Sequence, residues 1–150
     1  MASAAWAVKG AVGAAGGLPA LYDERTRGAE LMALFNTHWH LDQVGGNAAF
    51  ATRGVPIFAH RKTHAHLSTP YFLPDEDRYQ EPLPARAHPT ETFLTEGSLS
   101  LRQERVHYGH LLLAHTDGDI YVHFENENVI AAGDVIAPQN DPVFDWNGGG

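Results

Sequence analysis

Two histidines one residue apart, His38 and His40, stand in the stretch NTHWHLDQVGGN, residues 36–47. In extended backbone the side chains at i and i+2 project the same way. Both imidazoles can therefore reach one ion while Trp39 packs on the opposite side. Zinc takes neutral imidazole nitrogen at about 2.0–2.1 Å and prefers four ligands, one of them an exchangeable water in catalytic sites. Two histidines thus call for at least one more ligand. AHTDGD offers His115 and AAGD offers Asp134, each at the end of an apolar run expected to be a strand. Asp42 lies two residues beyond His40, and Gln43 follows where a further histidine would complete a two-metal pattern.

The elements that must position these residues can be read coarsely. ELMALFNT, residues 30–37, is an apolar run expected to form a buried strand that delivers the histidine loop. GGNAAFATRG reads as a short helix starting near Asn47 and stopped by Gly54, with Gly45 and Gly46 expected to allow a tight turn. VPIFAH is a second short strand, and RKTHAHLST a helical turn or two ended by Pro70. This alternation predicts an α/β layer arrangement. Residues 70–89 carry five prolines among acidic and aromatic residues and are expected to be a long loop, either a binding loop or a solvated excursion. SLSLRQERVHYG, HLLLAHT, DIYVHFE and NVIAAGD then read as successive sheet strands.

Composition narrows the function classes. The 150 residues include 43% hydrophobic and 19% charged types, which suits a folded domain. A net charge of -8 argues against nucleic acid as a partner, because phosphate binding needs clustered Lys and Arg. With no cysteine, disulfides and thiolate ligands are excluded. Ten histidines against ten Lys plus Arg is a heavy load that points to metal or proton chemistry. No segment approaches the roughly 20 apolar residues of a membrane span. The Ala- and Gly-rich residues 1–29 are expected to be a flexible leader, with the domain occupying residues 30–150. Lys9 interrupts the apolar stretch that a secretory signal would need, and location stays open.

Taken together, THWHLDQVGGN, AHTDGD and AAGDV resemble the metallo-β-lactamase superfamily, whose leading motif runs His-x-His-x-Asp-His followed by Gly-Gly. LFNTHWH…Q…GN, HTDGDIYV and P…D…GG further resemble an uncharacterised branch with Gln in place of the last histidine of that motif. The resemblance implies an αβ/βα sandwich, here expected to be incomplete at both ends. It implies that His38, His40 and His115 ligate the first metal, that Asp134 lies between two metals, and that Asp42 belongs to the second. Gln43 then occupies the position of the second metal's histidine. An amide oxygen is a poor donor to zinc, so one tightly held zinc is expected, with a second weak or absent. Such a zinc lowers the pKa of its water to about 7, and Asp42 or Asp134 would orient that water and accept its proton.

The implied reaction is hydrolysis of an ester, thioester, lactone or lactam in a small-molecule substrate, with no membrane partner and a possible homo-oligomer. Two alternatives stand beside it: a metal-binding pseudoenzyme, and a fragment of such a hydrolase. His60 and His64, four apart, are read as structural. His66, His88, His107, His110 and His123 are read as surface or sheet residues.

Overall fold

The computed structural model describes residues 5–7, 18–137 and 141–150. Its first sheet grows from the apolar run expected to be a buried strand. β2 (Leu31–Phe35) is shielded along most of its length, as a strand covered on both faces must be. It pairs in parallel with β1 (Ala5–Ala7) and with β3 (Ile57–His60), and β3 pairs in parallel with β6 (Glu91–Phe93). Parallel neighbours need crossover connections, and helices supply them. α1 (Leu18–Thr26) precedes β2, α2 (Leu41–Val44) and α3 (Asn47–Ala51) link β2 to β3, and α4 (Arg61–Ser68) follows β3. On the helix-covered face Leu34 and Ile57 pack with Tyr22 and Phe50, whose rings meet edge-on at 6.3 Å.

The second sheet is antiparallel, in the order β10 (Val129–Ala131), β9 (Ile120–Phe124), β8 (Glu104–His110), β7 (Glu96–Leu101). Along β9, Ile120, Val122 and Phe124 are buried and alternate with half-buried residues, the period of a strand with one face inward. That face meets Ala33 and Phe35 from the parallel sheet. Phe35 stacks on Phe58 at 5.1 Å, and Tyr108 tilts against both. Each such side chain contributes about 1.5–3 kcal/mol by leaving water. Helices, parallel sheet and antiparallel sheet thus form successive layers. Among the described residues no helix is long and apolar enough to cross a membrane.

Several elements differ from the sequence reading. HLLLAHT is not a strand: Leu112 and Leu113 are 79% and 78% exposed in the loop that reverses the chain between β8 and β9. SLSLRQERVHYG is two strands, β7 and β8, with Arg102 and Gln103 turning between them without any Gly, Pro, Asn or Asp to announce it. Residues 70–89 contain a small hairpin, β4 (Tyr71–Leu73) with β5 (Arg78–Gln80). Gly45 and Gly46 do lie between two helices, but with ordinary helical dihedrals. Within the expected leader, β1 pairs with β2 and Tyr22 of α1 joins the core. Its residues 1–4 and 8–17 lie outside the described set.

Candidate metal centre

The histidine loop leaves β2 at its C-terminal end and is pinned on both flanks by buried amides. Asn36 and Asn47 exchange side-chain hydrogen bonds at 2.9 and 2.8 Å, and Asn47 also donates to the Ala87 carbonyl at 2.9 Å. Between these anchors His38 is fully buried and His40 immediately precedes α2. His115 arrives from the loop before β9, which is knitted by its own polar groups. The Asp119 carboxylate accepts from the Thr116 N–H at 2.5 Å and from its hydroxyl at 3.1 Å. The Ile120 N–H donates to the Thr37 carbonyl at 2.9 Å, tying the two loops together.

The three imidazoles converge. Their ring centroids lie 4.8, 4.8 and 4.9 Å apart, the rings nearly perpendicular, and one nitrogen from each falls within 4.8 Å of the others. Two zinc ligands at tetrahedral angles sit about 3.3 Å apart, and His40 Nδ1 lies 3.1 Å from His115 Nε2. The outer nitrogens decide what those inner ones are. His115 Nδ1 donates to the Val143 carbonyl, which can only accept, so in neutral His115 Nε2 carries a lone pair. His40 Nε2 lies 2.9 Å from Asp145 Oδ2, so neutral His40 is protonated there and presents a lone pair at Nδ1. Two lone pairs face each other at 3.1 Å beside a third imidazole. Only a shared proton or a cation relieves that arrangement, and three converging nitrogens fit a cation. The residues present therefore suit a metal ion.

Asp145 is the site residue that sequence reasoning missed. Its N–H donates to the His115 carbonyl at 2.8 Å, and its Oδ1 accepts from the Gly148 N–H at 2.8 Å. Residues 143–148 thus brace both His40 and His115 from behind, as carboxylates and carbonyls do for metal-binding histidines generally. The only hint in the sequence was the aspartate of P…D…GG. His38 is flanked differently, with Nδ1 3.3 Å from the Thr37 hydroxyl and 3.9 Å from Asp119. Burial raises the Asp119 carboxyl above its ordinary value, against the opposing pull of the Thr116 bonds.

The two carboxylates expected as ligands are placed differently from the histidines. Asp134 sits in the turn Gly133–Val135 after β10, its Oδ2 3.8 Å from His38 Nε2. Asp42 is exposed in the first turn of α2. The Gln43 amide lies between them, Nε2 donating to Asp42 Oδ2 at 2.7 Å and to Asp134 Oδ2 at 3.2 Å. The structure thus groups the three histidines as one cluster and gathers the two acids on Gln43.

A cavity of about 480 Å³ opens over His40 and His115. Trp39, Tyr71, Leu73, Leu83 and Phe144 contribute apolar wall. The 70–89 segment supplies much of this lining, largely from its hairpin. His66 was read as a surface or sheet residue, yet it lines the cavity with its ring stacked on Trp39 at 4.4 Å and Nε2 3.1 Å from Asp117. Burial alone would raise the Asp117 carboxyl, but His66 and Lys62 carry it below its usual value. His60 caps α4 by accepting the Lys62 N–H and donates to the Leu94 carbonyl, the structural role expected of it. Burial, with stacked His110 beside it at 3.8 Å, lowers its pKa.

Fold and site together define an α/β domain in which three histidines converge at the ends of strands in an arrangement that suits a metal ion. The family model described as the metallo-beta-lactamase superfamily matches residues 4–150, and the chain belongs to that superfamily. The fold is similar to that of BLEG-1 B3 metallo-beta-lactamase, with a TM-score of 0.68 at 22% identity over 90% of this chain and 64% of that one. A metallo-beta-lactamase from Pontibacter korlensis gives 0.65 at 19% identity, over 92% of this chain and 60% of the other. DIM-1 metallo-beta-lactamase gives 0.66 at 16%, over 95% and 59%. The chain therefore spans somewhat under two thirds of the length of these structures. None of the curated proteins matches it in sequence.

Proposed function

We propose that this chain is a metal-dependent hydrolase in which His38, His40 and His115 hold one zinc ion, cleaving an ester, thioester, lactone or lactam bond in a small-molecule substrate. The observation that carries the reading is the pair of acceptor nitrogens on His40 and His115, facing each other at 3.1 Å beside His38. Imidazole ligands without a thiolate suit zinc well. A divalent ion bound there supplies Lewis acidity toward a carbonyl and toward water at neutral pH.

The chain's own groups supply the rest. Asp145 and the Val143 carbonyl hold two imidazoles in the ligating tautomer. Asp134 Oδ2, 3.8 Å from His38 Nε2, is the proposed proton acceptor, and Asp42 offers a second carboxylate at the cavity wall. The apolar walls exclude water around a bound acyl group. Among the described residues Arg78 is the one arginine or lysine in the lining, and it is already bonded to Glu76 at 2.6 Å. With Asp42, Glu76, Glu81 and Asp145 also lining the cavity, neutral or cationic substrates fit better than anionic ones. The net charge of -8 keeps nucleic acid outside the proposal.

A panel of neutral esters, thioesters, lactones and lactams, assayed with zinc-supplemented protein, tests the proposal. Turnover of at least one bond type is expected, falling to background in His115→Ala. A folded, zinc-loaded protein inert on all four would support the competing reading, a metal-binding protein without turnover.

A further inference from the structure

The centre's second half does not fit a metal ion as the first does. The three histidines bring one nitrogen each within 4.8 Å of the others, whereas the space between Asp42 and Asp134 is filled by hydrogen-bond donors. An amide NH2 has two hydrogens. Gln43 Nε2 directs one at Asp42 Oδ2 and the other at Asp134 Oδ2, at 2.7 and 3.2 Å. Gln43 is 2% exposed, so the amide itself is shielded from water, although Asp42 is exposed and Asp134 is half-buried. Its other end, Oε1, is buried with no hydrogen-bond partner among the described residues.

We propose that the Gln43 amide takes the place of a second cation, holding Asp42 and Asp134 together by hydrogen bonds and leaving the centre with a single metal position. The positive edge of the amide dipole sits where two negative groups meet, and charge-assisted bonds of this kind are stronger than neutral ones. Turning the amide to present Oε1 would surrender both bonds and set a carbonyl oxygen against two carboxylates. The helix keeps the group in place, since the Gln43 N–H donates to the His40 carbonyl at 2.9 Å in the first turn of α2. The same bonds hold Asp134 Oδ2 at its position near His38, so Gln43 also acts as a positioning residue for the proposed proton acceptor.

The inference deepens the single-zinc reading and rests on it for its role in the chemistry, but its test is a difference between variants. Zinc is titrated calorimetrically into EDTA-stripped wild type and Gln43→His. One equivalent is expected for wild type and two for the variant, whose imidazole joins Asp42 and Asp134 in a zinc-binding set. Equal stoichiometries in the two proteins, or two equivalents in wild type, would overturn the proposal. Zero in wild type with one in the variant would uphold the amide's occupation of the second position and sink the three-histidine reading instead. Gln43→Glu guards against a misfolded histidine variant, because it keeps the shape and brings a third carboxylate to the other two. Its Tm should fall in EDTA and recover with Mn²⁺ by more than the wild-type Tm responds. A Tm that Mn²⁺ raises no more than in wild type would contradict a cation position behind the amide.

Discussion

Asp145 touches no metal position, yet it fixes which nitrogen His40 can offer, through a 2.9 Å contact across 105 residues of sequence. Asp145→Asn tests this at constant shape. The new amide can still accept the Gly148 N–H at Oδ1, but it turns a donor toward His40 Nε2. His40 must then move its proton to Nδ1, where the lone pair was needed. Zinc affinity should fall about 10–100-fold, the usual cost of losing such a partner. Competition against a chromophoric chelator measures it, and an unchanged affinity would show that Asp145 merely anchors the turn. The histidines themselves were legible because their type and their i, i+2 spacing carry the chemistry locally. Gln43 was legible as a departure from a pattern, but its two bonds were not, because Asp134 joins it only through the fold. Asp145 was illegible for the same reason: nothing near it in sequence is a ligand.

At the scale of elements, the turn after β10 must approach the histidine loop closely. Gly133 has φ +59, and a Cβ there would lie 2.5 Å from the Thr37 hydroxyl and 3.4 Å from His38 Nδ1. Gly133→Ala should therefore cost about 2 kcal/mol or more, from backbone strain and overpacking together. Urea unfolding reads this as a lower midpoint, and an unchanged midpoint would mean that the turn moves away freely. β2, β3, α3 and α4 were readable because apolar runs and their Gly and Pro boundaries mark such elements. HLLLAHT misled because its leucines look like a strand, while the chain had to reverse there to bring His115 inward. The β4–β5 hairpin escaped notice because strands of three residues are too short for an alternation to stand out among the flanking prolines.

Across the whole molecule, pairing order was not legible from periodicity: nothing local tells that β2 and β3 run parallel while β7 to β10 alternate. The motif set carried that information through resemblance, and the layered sheets agree with it. β10 is an edge strand of the second sheet among the described residues, and Val129 and Ile130 on it are 52% and 61% exposed. An apolar edge invites strand pairing between chains, and a homo-oligomer is proposed on that basis. Native mass spectrometry weighs chains and bound ions at once, so it reports on association and on the metal in a single spectrum. Oligomer peaks should grow with concentration, and a purely monomeric spectrum would remove the oligomer. For the metal, zinc-supplemented protein should carry about one zinc per chain, as a three-histidine site requires. A His115→Ala protein that still melts cooperatively should carry none. Well-folded wild type without bound metal, or a His115→Ala variant that keeps its zinc, would contradict a centre built from His38, His40 and His115.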